Sequence, residues 1–304
     1  MYRKLKIILL AGPTASGKSQ VAISLAKSLN GEIINADSMQ IYKEFRILTS
    51  RPGKQDEKKI KHHLYGIISV KKNFSTGNWL TLATKEIKKI LKKKKIPIVV
   101  GGTGLYFNSL LYGLAKIPNT PLKIRNDIRK YHKKIGQLKF YNKLLKLDPL
   151  VKNFISPNDP QRSLRAYEVK KYTKKSLYKW FENTQSNFDK NLFKKFFINI
   201  DRSKLLDRIN ERTEKMFKKG IKKEVSSFLK LKIKKEMSAN KIIGINEIIN
   251  LFDKKNSLEE MKEKIKIRTR QYAKRQNTWA RGKMTSWDKI NYDNHKEILK
   301  KVLN

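Results

Sequence analysis

Cysteine is absent from this chain of 304 residues, which excludes disulfides and thiolate metal sites. Histidine is scarce: four occur, two of them adjacent at His62 and His63. That is poor zinc spacing, and the pair reads as structural or solvent-facing. No apolar run approaches the roughly 18 residues that a membrane helix needs. The basic and then apolar start resembles a weak signal peptide, but its apolar part is short and runs straight into a glycine-containing loop, so it reads as a core strand. A soluble, cytoplasmic protein is expected. Acidic residues are few, with 26 Asp+Glu against 71 Lys+Arg and a formal net charge of +45. Such a field attracts polyanions, nucleic acid first. Arginine supplies only 14 of those cations. A chain rich in Lys, Ile and Asn spreads lysine everywhere, as an A/T-rich genome imposes. The lysine run at 92–95 is therefore expected to be solvated surface, and the arginines are the more informative cations. Hydrophobic residues make up 39% of the chain, with 13 Phe and 12 Tyr, enough for a folded core of one or two domains.

The sharpest feature is Gly12-Pro13-Thr14-Ala15-Ser16-Gly17-Lys18-Ser19, placed after the apolar run Ile7-Ile8-Leu9-Leu10 and before a helical pattern through Val21, Leu25 and Leu29. Strand, G-x-x-x-x-G-K-[ST] and helix in that order make a phosphate loop. Backbone N–H groups point at phosphate oxygens, Lys18 adds a point charge, and Ser19 offers a hydroxyl to Mg²⁺. The helix directs its positive dipole end at the same group. The motif does not say which bond is broken.

Strand-like runs at 5–11, 32–36 and 97–100 alternate with helical patterns, including one over 78–93. An irregular stretch separates the second strand from that helix. This alternation predicts an α/β fold whose parallel sheet core is like that of P-loop nucleoside triphosphate hydrolases. Residues 121–185 read as a helical insertion domain, with Tyr131, Leu138, Phe140, Leu144 and Leu145 as candidate core. Residues 1–120 and 186–304 form the catalytic core: a strand at 196–200, then helices over 203–219, 222–231, 242–252 and 257–281, and a candidate short strand at 285–290.

Ligands of such sheets sit beyond the carboxyl ends of the strands. Three sequence positions meet there: the phosphate loop, Asp37-Ser38-Met39-Gln40, and Thr103. Asp37 is the one carboxylate among them, a base or hydrogen-bond acceptor if it is not simply a helix cap. The third strand ends in Gly101-Gly102-Thr103, where many phosphate-loop NTPases place an Asp for Mg²⁺, which argues against an ordinary ATPase. Arg162 and Arg165 share a helical face beside Gln161, and read either as a surface for base edges and phosphates or as a charged helix start. Arg270, Lys274, Asn277 and Arg281 form a polar stripe, with Tyr272, Gln276 and Trp279 on a neighbouring one. Basic and aromatic residues together suit RNA, although Trp279 alone also reads as core. Arg208 and Arg212 either reach leaving-group phosphates or lie on the surface.

Taken together, GPTASGKS at 12–19, DSMQIY at 37–42, PIVVGGTGLYF at 97–107, NDPQRSLRAYEV at 158–169, the segment 208–220 and RQYAKRQNTWAR at 270–281 resemble the tRNA dimethylallyltransferases, also called tRNA isopentenyltransferases. The segments occur in family order across nearly the whole chain. Seven of the arginines (125, 162, 165, 208, 212, 275 and 281) fall at family-like positions, which uniform charge bias would not produce. The resemblance implies transfer of a dimethylallyl group from dimethylallyl diphosphate to N6 of adenine 37, beside the anticodon of a tRNA. It implies Asp37, Thr103 and Lys18 as catalytic residues. The diphosphate would lie on residues 12–19 with Arg208 and Arg212, and Mg²⁺ on Ser19. It implies tRNA contacts from Asp37, Ser38, Met39, Gln40, Thr103, Arg125, Gln161, Arg162, Ser163, Leu164, Arg165, Lys241, Gly244, Lys274, Arg275, Gln276, Asn277, Trp279 and Arg281. The insertion would clasp the anticodon stem-loop of a tRNA bound by a monomer.

Two stretches depart from the family pattern. Gly244-Ile245-Asn246 stands where relatives carry Gly-Tyr-Lys/Arg, and residues 43–50 (KEFRILTS) are less glycine-rich than the usual Gly-Met-Asp-Ile-Gly-Thr-like run. The rival readings are a kinase using ATP at the same loop, and a non-catalytic RNA-binding protein that keeps the loop as a relic.

Overall fold

The computed structural model describes residues 6–291, 297, 300 and 301. In chain order the elements are β1 (Ile7–Ala11), α1 (Lys18–Ser28), β2 (Gly31–Asn35), α2 (Lys54–Lys59), β3 (His62–His63), α3 (Thr76–Lys92), β4 (Ile96–Gly101), α4 (Gly104–Tyr112), α5 (Leu122–Ile135), α6 (Gln137–Leu147), α7 (Pro160–Thr173), α8 (Leu177–Phe181), β5 (Phe193–Asn199), α9 (Arg202–Lys218), α10 (Ile221–Leu229), α11 (Ile245–Phe252), α12 (Leu258–Lys283) and β6 (Asp288–Asn291). The strands form one sheet in the order β3-β2-β4-β1-β5-β6, with every pairing parallel.

β1 is an unbroken apolar run because both faces of a parallel sheet are covered. Ile7 and Leu9 enter one core with Trp79, Ile87 and Phe107, while Ile8 and Leu10 enter the other with Val21, Leu25 and Phe196. The helices begin where side chains satisfy their open amides. Ser75 caps α3, accepting from Asn78 N at 3.1 Å while Asn78 Oδ1 accepts from Ser75 N at 3.0 Å, so the helix starts two residues before the expected 78. Ser257 caps α12 in the same way with Glu260. Leu5, expected to open the first strand, lies outside the described residues.

The stretch after β2 was expected to be irregular, but it contains α2 and the two-residue β3, which pairs with Ile33 and Ile34. No hydrophobic alternation announces a strand that short. The candidate strand at 285–290 is β6, shifted toward Asn291.

By contacts the chain divides into two units. One comprises residues up to Leu111 and from Phe188 onward, with the sheet. The other, Tyr112–Asn187, is built from α5–α8 around Tyr141, Leu144, Val151, Ile155, Ala166, Val169 and Leu177. Leu138, expected in that core, is 62% exposed. Phe140, Tyr141 and Leu144 define the buried face of α6, and Leu138 lies roughly 110° around the helix from its centre. Among the described residues no helix is long and apolar enough to cross a membrane.

His63 and Lys95 have structural roles. His63 Nε2 lies 2.7 Å from Glu32 Oε2 and Nδ1 3.0 Å from Glu86 Oε2, while Lys95 Nζ lies 3.1 Å from Glu32 Oε1. Lys95 is therefore not the free surface cation expected of the run at 92–95: it serves a carboxylate that is only 2% exposed. Burial alone would raise the Glu32 carboxyl. The hydrogen bonds from His63 and Lys95 outweigh that and hold it below its ordinary 4.5. A carboxyl depressed in the folded state contributes stability above its unfolded value, and that contribution is lost as pH falls. Denaturant unfolding should show wild-type stability falling faster than that of Glu32→Gln below about pH 4.5; parallel curves would remove this role from Glu32.

Candidate active site

The phosphate loop leaves β1 in the interior of the sheet. Its turns need left-handed backbone at Ala15 (φ 62°) and Gly17 (φ 86°). Gly17 is also the N-cap of α1, whose first turn holds no acid, so its positive end is left open to an anion. Lys18 Nζ donates to the Pro13 carbonyl at 3.1 Å, folding back over the loop. The Ser16 hydroxyl is buried without a partner.

Two residues from the C-terminal helices brace this loop. Gln276 of α12 accepts from Thr14 N at 2.8 Å through Oε1 and donates to Gly102 O at 2.9 Å through Nε2. Arg212 of α9 donates to Thr14 Oγ1 at 2.7 Å. The phosphate loop is thereby tied to the loop after β4. Gln276, expected to touch RNA, spends both amide atoms on this brace.

The loops after β2 and β4 are fastened to each other as well. Thr103 Oγ1 accepts from Ser38 N at 2.9 Å, and Thr103 N donates to Ala36 O at 3.1 Å. Asp37 sits between them, its Oδ1 accepting from Met39 N at 2.9 Å. Asn35, fully buried at the end of β2, accepts from Asp37 N at 2.8 Å and donates to the carbonyls of Asp37 and Leu64 at 3.0 Å each. Trp79 in turn donates to Asn35 O at 2.7 Å and stacks on Tyr106 at 4.3 Å. Sequence reasoning missed Asn35, although a lone amide closing the apolar strand Ile33-Ile34 is the signal that could have found it.

Thr14, Lys18, Ser19, Asp37, Arg208 and Arg212 open on one cavity of about 760 Å³. Its walls are of two kinds. Lys18, Arg46, Arg51, Arg208, Arg212 and Lys241 make it cationic, while Ile23, Met39, Ile47, Leu48, Met216 and Ile265 supply apolar surface. Burial, with a smaller push from Arg212, brings the Lys18 ammonium down to about 8 against the opposing pull of Asp37. Burial likewise lowers Arg212, with Asp37 opposing, and raises the Tyr272 phenol. Among the described residues no cluster of His, Cys, Asp and Glu could hold a metal by itself. A divalent ion here would take Ser19 together with oxygens of a bound diphosphate, as Mg²⁺ does when it keeps most of its waters.

The remaining expected contacts are placed as follows. Gln40 directs its amide at the Thr49 and Ser50 carbonyls, 2.9 and 3.1 Å away. Met39 and Lys241 line the cavity, as does Arg275, which sits 5.8 Å over the Tyr272 ring. Lys274 and Arg281 are exposed and Asn277 is half-buried. Trp279 packs under Gly104, where a Cβ would lie 2.3 Å from the indole. Arg270 is tied to Glu263 at 3.2 Å and to Asn210 at 3.2 Å.

In the helical unit, Asp159 caps α7 and pairs with the exposed Arg162 at 3.2 Å. Gln161 is exposed and Leu164 half-buried. Ser163, expected on the RNA surface, is fully buried, its hydroxyl accepting from Gln137 at 3.2 Å, so it packs the helix start. Arg125, Arg129 and Arg165 converge at 3.6, 3.8 and 3.9 Å on buried Glu168, an anchor that sequence reasoning passed over.

The two departures from the family pattern meet in space. A Cβ at Gly244, where φ is 107°, would lie 2.5 Å from Leu48 Cδ1, and Leu48 and Ile245 belong to one buried cluster. The leucine fills the space above the glycine, and Ile245 is core rather than surface.

The family model described as "IPP transferase" matches residues 40–283. A tRNA dimethylallyltransferase of Pelagibacter ubique (strain HTCC1062) is 56% identical, over 99% of this chain and 97% of the relative. The crystal structure of the full-length tRNA isopentenylpyrophosphate transferase from Bacillus halodurans superposes with a TM-score of 0.70 at 30% identity, covering 99% of this chain and 96% of the other. A eukaryotic dimethylallyltransferase, crystallised acting on tRNA, gives a TM-score of 0.81 at 28% identity, covering 95% and 74%.

The lowered Lys18 gives the site a pH signature. An ammonium that titrates near 8 in the free protein loses its charge above that pH, and anion affinity falls with it, approaching tenfold per pH unit. Calorimetric titration with inorganic diphosphate in metal-free buffer should show this fall for wild type relative to Lys18→Arg between pH 8 and about 10. An unchanging ratio between the two would mean that Lys18 does not titrate in this range.

Proposed function

This chain belongs to the IPP transferase family, and on that premise we propose that it transfers the dimethylallyl group of dimethylallyl diphosphate to N6 of adenine 37 in tRNA. The observation that carries the reading is the two-sided cavity. A phosphate loop and two arginines stand at a wall of isoleucine, leucine and methionine, with Asp37 opening on the same space. Cations suit a diphosphate and the apolar wall suits an allylic chain. A kinase would need only the first of these features.

N6 of the adenine attacks the allylic carbon that bears the diphosphate. A C–N bond forms, the C–O bond breaks, and the electron pair leaves with the diphosphate. The N6 proton passes to the Asp37 carboxylate, which Met39 N holds through Oδ1 while Asn35 fixes the residue's backbone. Lys18, Arg208, Arg212 and the loop amides stabilise the charge gathering on the leaving group. Thr103 fixes the backbone of Ser38 and with it the aspartate's loop. Ser19 would help hold Mg²⁺, whose charge would neutralise part of that on the leaving group. No step needs an activated water, which agrees with the glycines where an NTPase carries its aspartate. The adenine has to leave the anticodon-loop stack to reach the cavity. Arg125, Arg162, Arg165 and Arg281 are the proposed phosphate and base contacts, and the chain acts as a cytoplasmic monomer.

The test is incubation with unmodified tRNA and labelled dimethylallyl diphosphate or labelled ATP. Label should move to tRNA from the prenyl donor only. Consumption of ATP without prenylation would establish the kinase, and tRNA binding with neither would establish the relic.

Three mutational outcomes follow from the assigned roles. Lys18→Ala should slow single turnover about 10²–10³-fold, the loss typical of one preorganised donor. Asp37→Asn should lower the single-turnover rate strongly while the tRNA Kd changes little; an affinity defect with normal chemistry would make Asp37 a positioning residue. Arg162→Ala, Arg165→Ala and Arg281→Ala should raise the KM for tRNA at unchanged donor affinity. Each lost phosphate contact should flatten the salt dependence of binding by roughly 0.7–0.9 in log–log slope. Neutralising Lys92, Lys93 and Lys94 is the control, and an equal effect there would reduce RNA recognition to diffuse charge attraction.

A further inference from the structure

Residues 46–51 form a strap along the cavity, and its backbone is fastened from two sides. Glu224, half-buried in the first turn of α10, takes three consecutive amide hydrogens. Its Oε1 accepts from Arg46 N at 2.7 Å and from Ile47 N at 2.8 Å, and its Oε2 from Leu48 N at 2.8 Å. On the other side Gln40 takes the Thr49 and Ser50 carbonyls, and Arg51 donates to Tyr42 O at 2.8 Å. Ser50 is left-handed (φ 52°), a conformation that a serine holds only when its surroundings enforce it. The strap supplies both kinds of wall: Ile47 and Leu48 on the apolar side, Arg46 and Arg51 on the cationic side.

A carboxylate that accepts three backbone amides is a strong local anchor, because each bond is charge-assisted and the amides have no other partner. α10 follows α9, which carries Arg208 and Arg212, and Gln40 follows Asp37. The strap therefore joins the leaving-group side of the site to the proton-accepting side. We infer that Glu224 is a positioning residue for the prenyl donor, holding the strap at the distance from the phosphate loop that the donor requires. The inference rests on the cavity's being the donor site. A purely structural role for Glu224 would lower stability without separating donor binding from turnover.

The experiment uses the full chain and dimethylallyl diphosphate itself, with binding measured by calorimetry without tRNA and steady-state rates measured with it. Glu224→Gln turns one oxygen into a donor that faces the strap's amides. It should weaken donor binding and raise the donor KM about tenfold, the scale of one lost charge-assisted hydrogen bond. Its kcat should stay within about threefold, since the reacting groups are untouched. Amide exchange at 46–48 should quicken in the same variant. Glu224→Asp keeps the charge one carbon short and is read in the same way if the glutamine variant does not fold. Lys223→Gln, an exposed neighbour on α10, should change nothing. Donor affinity and KM equal to wild type in a folded Glu224 variant would overturn the positioning role alone. Wild-type protein that fails to bind dimethylallyl diphosphate would overturn the donor site and the strap's role together.

Discussion

A Cβ at Gly101 would lie 2.1 Å from the Ala36 carbonyl oxygen, so the end of β4 and the chain after β2 run closer together than any side chain allows. This approach lets Thr103 reach both Ala36 and Ser38, and it sets Asp37 beside the phosphate loop. Gly102 repeats the constraint one residue on, where a Cβ would meet Gln276 Nε2 at 2.1 Å. Without that gap the amide could not bridge Thr14 and Gly102. The glycines thus exclude the acidic side chain of an ordinary NTPase and assemble three loops into one rigid edge. A site that must present a base and a leaving-group cradle at fixed separation gains from rigidity at this point.

Charge is organised in two ways. Most of the net +45 lies in lysines spread over the chain, a field that draws in RNA from any direction. The arginines proposed to contact substrate are held individually. Arg212 is fixed on Thr14, Arg162 on Asp159, and Arg125 with Arg165 on the buried Glu168. Pairing with a carboxylate limits the rotamers of an arginine, and a guanidinium has further N–H groups with which to bind a phosphate. On the proposed roles the chain separates attraction from recognition. Lysines supply long-range pull that salt screens, while arginines supply placed donors.

Much of this is legible in the sequence alone. The phosphate loop, the parallel alternation and the helical insertion announce themselves through glycine spacing, apolar runs and helical period, because those signals are local. Asp37 and Thr103 could be placed at the site because strand ends of a parallel sheet converge. The long-range fastenings were not legible. Nothing in the run Lys222-Lys223-Glu224 distinguishes Glu224, with its three amides, and nothing in the lysine run distinguishes Lys95, serving Glu32 from 63 residues away, from their solvated neighbours. Gln276 looked like a base reader because a glutamine on a basic helix carries the same chemistry outward as inward. Ser163 turned inward in the same way and Leu138 turned outward, for a related reason: exposure depends on which helix face the neighbouring elements cover, and single positions near helix starts do not reveal that.

The central claim is that this cavity brings a prenyl donor to one particular adenine. Its most direct test is nucleoside mass spectrometry of unmodified tRNA after incubation with the protein, dimethylallyl diphosphate and Mg²⁺, followed by sequencing of the modified fragment. The account predicts one dimethylallyl group per tRNA, on N6 of the adenine adjoining the anticodon. Unmodified tRNA, or prenyl groups scattered over several adenines, would contradict it.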